Sequence, residues 1–299
     1  MIDIEFVRKW VQVVFGFLMN GYWAFPFTRN MYKGPLKVVC APGLNCYSCP
    51  ASTTYCPIGA LQQLMGGLRF SLDVGNYYIG WYVVGSMGVL GALFGRLICG
   101  WACPFGFFQE LLYKIPSPKY MIPRYLNYFK YFMLAFFVIL LPLFALDEFG
   151  AGEPWFCKYI CPAGTLEAGI PMIILQPNLR SALGLLFYNK LIIMIFFIIW
   201  GVLASRPFCR TTCPLGAFYA LFNRYKVVKL QLDEAKCTQC KACHPVCPMG
   251  VKFNECPDDM ECISCMKCMT HACKFDAIHL EVAGVPLEAA GTREKPKTA

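Results

Sequence analysis

Long apolar runs alternate with short polar loops over most of the chain. Four of these runs lack charged side chains and are apolar enough to span or nearly span a bilayer: residues 10–27, 74–95, 131–146 and 191–205. A spanning helix needs about 20 residues, so the last two runs must include flanking residues. The first run follows Arg8 and Lys9 without a small-residue cleavage site, which indicates a retained helix. The pattern therefore predicts an integral membrane four-helix bundle.

The composition and the charge distribution agree with a membrane protein. Hydrophobic residues make up 57% of the chain and charged residues only 15%. The formal charge of +9 is not a nucleic-acid footprint, because much of the basic excess flanks the apolar runs. These flanks predict a multi-pass protein of the cell membrane with both termini cytoplasmic. The acidic loop 147–180 suits the opposite side, whereas the bases in loop 29–73 argue mildly against placing that loop there.

Cysteines followed by proline form a short repeat along the apolar part of the chain. The nineteen cysteines include four that open a Cys-Pro-x-Gly module: Cys56, Cys103, Cys161 and Cys213. Three of these have a partner four residues earlier: Cys99, Cys157 and Cys209. The proline has a preset φ and no N–H, so it can begin a helix. The glycine has no Cβ and leaves space for a cluster or a neighbouring backbone.

The four predicted spans sort these modules onto two membrane edges. One edge receives a complete set of four thiolates for a cubic iron–sulfur cluster, namely Cys99, Cys103, Cys209 and Cys213. The opposite edge has six cysteines, of which the repeat favours Cys56, Cys157 and Cys161, with Cys49 or Cys46 as the fourth ligand and Cys40 as the weakest candidate. Ordinary buried cysteines or a zinc site would give similar spacings. Three pairs and a fourth module favour clusters.

The C-terminal part becomes polar and cysteine-dense. We predict a membrane domain over residues 1–230, a ferredoxin-like α+β domain with two [4Fe-4S] clusters over 231–284, and a disordered tail over 285–299. The first cluster would bind to Cys237, Cys240, Cys243 and Cys273, and the second to Cys247, Cys262, Cys265 and Cys268. Four residues separate Cys268 from Cys273, where the usual spacing has three, so the route of Cys273 to the first cluster stays open. Cys256 is surplus.

Several classes of function are not expected. No histidine lies in a predicted span, so a membrane haem held by two histidines is not available. The cores of the predicted spans lack Asp, Glu, Lys and Arg, which argues against an intramembrane proton or ion relay. No acid–base pair or nucleophile stands out, and we predict no catalytic residue.

These features together resemble the NapH/MauN-type membrane polyferredoxins, the 4Fe-4S membrane components of quinol dehydrogenases, with NosR as a more distant relative. The resemblance is carried by Cys99-x3-Cys103-Pro, Cys209-x3-Cys213-Pro and the double-cluster tail. It implies a quinol-linked or ferredoxin-linked electron-transfer subunit that serves a partner reductase. The cysteines of the opposite edge are not part of the common family pattern: Cys46, Cys49, Cys56, Cys157 and Cys161.

The leading hypothesis is an electron conduit with four clusters, two in the C-terminal domain and one at each membrane edge. The hydrocarbon core is about 30 Å thick. Re-entrant segments would therefore have to draw the membrane sites inward, or a quinone or a partner cofactor would have to bridge them. Two alternatives stay open: a quinone/quinol oxidoreductase subunit and an electron-supplying assembly or metal-maturation factor. The expected partners are the lipid bilayer and redox subunits such as a soluble reductase, dehydrogenase or ferredoxin.

Overall fold

The computed structural model describes residues 4–73, 75, 80–147 and 152–287, and this part of the chain is mainly helical. Its principal helices are α1 (Ile4–Met19), α2 (Pro57–Asp73), α3 (Trp81–Phe94), α4 (Leu97–Trp101), α5 (Pro104–Tyr113), α6 (Arg124–Phe144), α7 (Pro162–Leu175), α8 (Leu185–Leu203), α9 (Pro207–Thr211) and α10 (Pro214–Phe222). Shorter helical turns lie at Phe25–Thr28, Pro35–Val38, Phe156–Ile160, Pro177–Ala182, Cys243–Val246 and Cys268–Ala272.

Two helices of the described residues, α6 and α8, are long and apolar enough to cross a membrane. They contain 21 and 19 residues, and a rise of 1.5 Å per residue makes each about 30 Å long. That length matches the thickness of the hydrocarbon core. Helices α3 and α7 are apolar but shorter. Membrane association is therefore supported, and a bundle of four spans remains a prediction.

The first predicted span differs from the helix that forms. Helix α1 begins at Ile4 and ends at Met19, whereas the sequence predicted a run over 10–27. Arg8, expected to flank the span, lies inside the helix and is fully buried. Its Nη1 is 2.8 Å from Oε1 of Glu110, and this ion pair makes the buried charge tolerable. The helix ends just before Gly21, so the apolar run is divided.

The second and third predicted spans also have different limits. The second predicted span covers residues 74–95, and the helix that forms there covers Trp81–Phe94. Residues 74 and 76–79 lie outside the described part of the chain. The third run, over 131–146, takes in flanking residues: its helix begins at Arg124, so that Lys130 lies within α6 and is buried against Glu261. A carboxylate from the C-terminal domain thereby neutralises a lysine inside the helix.

The prolines of the four modules begin helices, as predicted. Helices α2, α5, α7 and α10 each start at a proline that directly follows a module cysteine. The backbone of the cysteine before the proline is extended in three of the modules, with ψ of 114° at Cys103 and 112° at both Cys161 and Cys213. A residue before proline is disfavoured in the helical region, which explains this conformation. Each thiol therefore lies at the first turn of a helix.

A small antiparallel sheet closes the cysteine-rich C-terminal segment. Its strands β1 (Val228–Leu232), β2 (Ile278–Val282) and β3 (Val285–Leu287) lie in the order β1-β2-β3. Because β1 pairs with β2, the two ends of the cysteine-rich segment are held together. The sheet begins at Val228 and ends at Leu287, so it extends about three residues beyond each predicted limit of this domain, and the domain division itself remains a prediction. Residues 288–299 of the predicted tail lie outside the described part.

Buried ion pairs join this ferredoxin-like domain to the helices. Glu261 accepts hydrogen bonds from Arg96, at 2.5 Å, and from Lys130, and both cations are fully buried. Asp259 pairs with Arg124 at the first turn of α6. The hydrophobic core is continuous from the module helices to Met249 and other buried residues of the C-terminal domain. The two parts therefore form one packed unit.

Candidate iron–sulfur sites

Two cavities in the C-terminal domain are each lined by one of the predicted cysteine sets. Site A is lined by Cys237, Cys240, Cys243 and Cys273. Site B is lined by Cys247, Cys262, Cys265 and Cys268. The structure therefore groups Cys247 with the later cysteines and Cys273 with the earlier ones, as the predicted exchange requires. In site A, Cys240 is exposed, whereas Cys265 and Cys268 of site B are buried.

A wide helical turn solves the spacing problem at Cys273. The Cys273 N–H donates to the carbonyl oxygen of Cys268 at 2.9 Å, a bond that reaches back five residues. Such a π-type turn accommodates one residue more than a normal turn. The exchanged cysteines also receive matching hydrogen bonds: the N–H of Ala277 donates to Cys273 Sγ at 3.4 Å and that of Val251 to Cys247 Sγ at 3.3 Å. Donors of this kind stabilise a thiolate.

Site C consists of the four cysteines of the second and fourth modules, which are all buried: Cys99, Cys103, Cys209 and Cys213. Two arginines tie the modules together in a reciprocal way. Arg206 Nη1 donates to the carbonyl oxygen of Cys99 at 2.6 Å, and Arg96 Nη2 donates to that of Cys209 at 3.1 Å. Each arginine belongs to one module and caps the backbone of the other.

The module glycines make this arrangement possible. A Cβ at Gly106 would lie 3.0 Å from the Cys99 carbonyl oxygen and 3.3 Å from Arg206 Nη1. A Cβ at Gly216 would lie 3.3 Å from the Cys209 carbonyl oxygen and 3.4 Å from an Arg96 nitrogen. Of the two roles that the sequence suggested for this glycine, close approach of a neighbouring backbone is therefore observed.

Burial and mutual repulsion make four negatively charged thiolates unfavourable in site C unless a cation lies between them. Burial raises the pKa of Cys103, and the neighbouring thiolates of Cys209 and Cys99 raise it further. Arg96 and Arg206 act in the opposite sense on Cys99, whose pKa is nevertheless raised by burial. Four thiolates confined in this way repel one another unless positive charge lies between them. Four buried thiols around one centre are the donor set that a cubic iron–sulfur cluster requires.

Cys46 and Cys49, the two candidates that the sequence leaves open for the fourth ligand of the opposite-edge site, have different neighbours. Burial raises the pKa of Cys157, and the thiolates of Cys161, Cys56 and Cys46 raise it further. Cys46, Cys56, Cys157 and Cys161 are therefore mutual neighbours, and they define site D. After burial, Glu167 raises the pKa of both Cys46 and Cys49, but Cys161 and Cys56 act on Cys46, whereas the next charge that acts on Cys49 is Lys37. Of the two, the structure brings Cys46 into the set, while its ligand role remains a prediction.

A half-buried acid that the sequence did not reveal as a site residue holds Cys46 in place. Glu167 Oε2 accepts a hydrogen bond from the Cys46 N–H at 2.7 Å. Burial raises the pKa of Glu167 to about 7, although this N–H acts to lower it. Glu167 lies six residues after Cys161, and that position could have identified it. Cys40 lies elsewhere, beside Tyr55 and Ser86.

Clusters and single zinc ions place different demands on four thiolates. Zinc bound at about 2.3 Å by four thiolates would draw the sulfurs to within about 4 Å of one another. A cubic cluster binds each thiolate at a separate iron and holds the four sulfurs farther apart. The iron and sulfide content of the protein therefore distinguishes the two kinds of site directly.

Sites C and D lie much closer together than two membrane edges. A Cβ on Gly43 would lie 2.8 Å from Cys103 Cα, and Cys46 is the third residue after Gly43. Since three extended residues span at most about 11 Å, the Cα atoms of Cys103 and Cys46 lie within about 15 Å. A core about 30 Å thick requires membrane sites to be drawn inward if electrons are to pass directly between them, and this separation meets that requirement. The loop 42–46 bridges the sites.

The comparisons with known proteins follow the same pattern as the structure. A family described as "4Fe-4S binding domain" matches residues 55–74, 82–123, 129–171 and 187–231. Each stretch contains one Cys-Pro module, and together they make up half of the chain. The chain belongs to this 4Fe-4S binding domain family. A second family with the same description matches residues 230–253 of this 4Fe-4S protein, which include the first cysteine run of the C-terminal domain.

Individual relatives agree with the resemblance. An uncharacterized protein of Methanocaldococcus jannaschii is 32% identical over 65% of this chain and 76% of its own length. The methylamine utilization ferredoxin-type protein MauN of Methylobacillus flagellatus is 25% identical over 64% of this chain and 60% of its own. The regulatory protein NosR of Stutzerimonas stutzeri is 24% identical over 57% and 23%, respectively.

The predicted kinship with MauN and, more distantly, NosR is confirmed. The chain is thus an iron–sulfur electron-transfer protein of this group. It spans about a quarter of NosR and less than two thirds of MauN, so the activities of those whole proteins do not transfer to it as facts. No solved structure matches the chain.

Proposed function

We propose that this 4Fe-4S protein is a membrane-bound electron-transfer subunit with four clusters, which connects a soluble redox partner at site A with a donor or acceptor beyond site D. One observation carries the proposal: the four cysteine sets form a continuous series in the order A, B, C and D. Neighbouring sets share a lining residue or are joined by segments that pack directly against each other. The subunit serves a partner reductase or dehydrogenase, consistent with its kinship to a ferredoxin-type protein.

The first half of the path runs from the surface into the helices. Cys243 lines the cavities of both site A and site B. From site B, the carbonyl oxygen of Ile263 would lie 2.5 Å from a Cβ at Gly100, the residue after Cys99 of site C. Trp101 Nε1 donates to the Ser264 carbonyl oxygen at 3.0 Å and fixes this contact. Sites B and C are therefore joined by direct backbone packing.

The second half of the path runs along helix α8. Near the start of this helix, Lys190 Nζ donates to the carbonyl oxygen of Cys157 of site D at 3.1 Å. Just beyond its other end, Cys209 of site C lies in α9. Because α8 is long enough to cross the hydrocarbon core and sites C and D lie closer together than its two ends, this order supports a path that covers the middle part of the core.

The protein supplies positions and shielding. Each bound cluster provides a one-electron carrier, and the potential and the distance are set by the chain. Burial of all four cysteines of site C excludes water. The exposed thiol of Cys240 leaves site A accessible to a soluble partner.

Opposite placement of the two ends of α8 is testable in sealed vesicles. Cys256 is exposed in the ferredoxin-like domain, and Ser181 is exposed in the turn that precedes α8. A membrane-impermeant maleimide should label Cys256 of the intact protein from one side. In a Cys256→Ser background, Ser181→Cys should be labelled from the other side only.

The Cys256→Ser protein without the second change is the control, and it should take up little label because its remaining thiols are cluster-bound or buried. Labelling of both reporters from the same side would contradict the transmembrane path. It would leave the electron-transfer role at a single membrane surface.

A further inference from the structure

Two buried glutamines occupy equivalent positions in the first two modules. Gln62 lies six residues after Cys56, and Gln109 lies six residues after Cys103. Both side chains are almost fully buried, with 0% and 2% of their surface exposed. The sequence analysis did not single them out, because an isolated glutamine in an apolar helix carries no recognisable motif.

Gln109 contacts the facing module of site C. Its Nε2 donates to Cys209 Sγ at 3.0 Å, and its Oε1 accepts the N–H of Phe208 at 3.1 Å. The same Nε2 also lies 3.4 Å from the carbonyl oxygen of Phe105 in its own helix. Since the backbone N–H requires an acceptor, the amide is oriented with its oxygen towards Phe208 and its N–H groups towards the sulfur.

Gln62 repeats this arrangement in site D. Its Nε2 donates to Cys157 Sγ at 3.1 Å, and its Oε1 accepts the N–H of Phe156 at 2.9 Å. Its Nε2 lies 3.4 Å from the carbonyl oxygen of Ile58, the counterpart of the Phe105 contact. All three contacts of Gln62 match those of Gln109, and such agreement between two sites is not expected by chance.

The other two modules use the same position for different contacts. Glu167, six residues after Cys161, accepts from the Cys46 N–H at 2.7 Å. Tyr219, six residues after Cys213, donates its hydroxyl to the carbonyl oxygen of Pro42 at 3.0 Å. These side chains hold the loop that bridges the two sites. At this position, therefore, each site has one side chain that donates to a sulfur.

We propose that Gln62 and Gln109 set the reduction potentials of the clusters bound in sites D and C, through one N–H···S hydrogen bond each. This inference rests on the proposed assignment of clusters to those sites. Reduction adds one electron and increases the negative charge on the ligand sulfurs. A donor fixed at a sulfur stabilises the reduced form more than the oxidised form, so it raises the potential. The two glutamines are positioning residues of the ligand sulfurs.

Gln109→Met removes the donor and conserves the size of the side chain. Anaerobic redox titration followed by electron paramagnetic resonance should show one cluster shifted to a lower potential, with the other three unchanged. Gln62→Met should shift a different single cluster in the same direction. Each variant is therefore the matched control of the other. Iron content should equal that of the wild type in both.

A second measurement does not depend on the stability of either variant. In the wild-type protein labelled with ¹⁵N in the glutamine side chain, pulsed resonance spectra of the reduced clusters should show two couplings to an amide nitrogen. Absence of these couplings, or a full iron content with unmoved potentials, would overturn the role of the glutamines alone. An iron content of about eight per chain would overturn the cluster assignment itself.

Discussion

Replacing Cys103 with alanine should remove the cluster of site C alone and leave about twelve of sixteen irons per chain. Cys103 is buried among the three other cysteines of its site, and alanine provides no ligand in its place. Cys46→Ala should have the same effect on site D. Sites A and B draw on other cysteines, so the signals of the ferredoxin-like pair should persist in both variants. The readouts are iron and sulfide content and the resonance spectrum of the reduced protein.

Three further cysteine variants are matched controls for this experiment. We assign three further cysteines to none of the four sets, so changing any one of them to alanine should leave about sixteen irons: Cys40, Cys49 and Cys256. The comparison of Cys46 with Cys49 is the most informative, because the two are three residues apart. A protein that loses iron on Cys49→Ala but keeps it on Cys46→Ala would show that site D is assigned incorrectly.

Glu261→Leu should destabilise the protein by about 3–5 kcal/mol. Glu261 neutralises Arg96 and Lys130, which are both fully buried, and its loss leaves two uncompensated charges in the interior. Arg96 also caps the Cys209 carbonyl, so site C should be weakened along with the domain contact. Thermal unfolding followed by cluster absorbance should show a lower midpoint, and limited proteolysis should cut faster between the helices and the ferredoxin-like domain.

Two companion variants test the cause of this loss. Lys130→Met removes one cation and leaves the pair between Glu261 and Arg96, so its effect should be smaller. Glu255→Leu breaks a surface pair with Lys252 in which the Glu255 side chain is 47% exposed, and such pairs contribute about 0–1 kcal/mol. An effect of Glu261→Leu no larger than that of Glu255→Leu would contradict the buried-network account.

The cysteine sets could be predicted from spacing because ligation imposes local patterns that the sequence displays directly. The Cys-Pro modules alone predict the four cysteines of site C, and repeat symmetry predicts three cysteines of site D. Cys46 could not be separated from Cys49, because the choice depends on the hydrogen bond from the Cys46 N–H to Glu167. That contact joins residues 121 positions apart, and the local sequence around either residue does not indicate it.

The charges inside the helices were not predictable for the same reason. Arg8 and Lys130 were interpreted as the flanks of spans, since an unpaired cation is costly in an apolar environment. Each is instead buried beside a carboxylate from a distant segment, Glu110 and Glu261 respectively. The hydropathy of a short stretch of sequence does not show which distant carboxylate will pair with a cation in it. The distance between sites C and D was likewise not predictable, because the loop 42–46 gives no sign in the sequence that it packs against Cys103.

The central claim is that four sets of four cysteines each hold a cubic cluster in one packed unit. The most direct test is the iron and acid-labile sulfide content of the wild-type protein, purified anaerobically in detergent. We predict about sixteen irons and about sixteen sulfides per chain. About eight of each would contradict the claim, because it would confine the clusters to the ferredoxin-like domain and leave sites C and D without any.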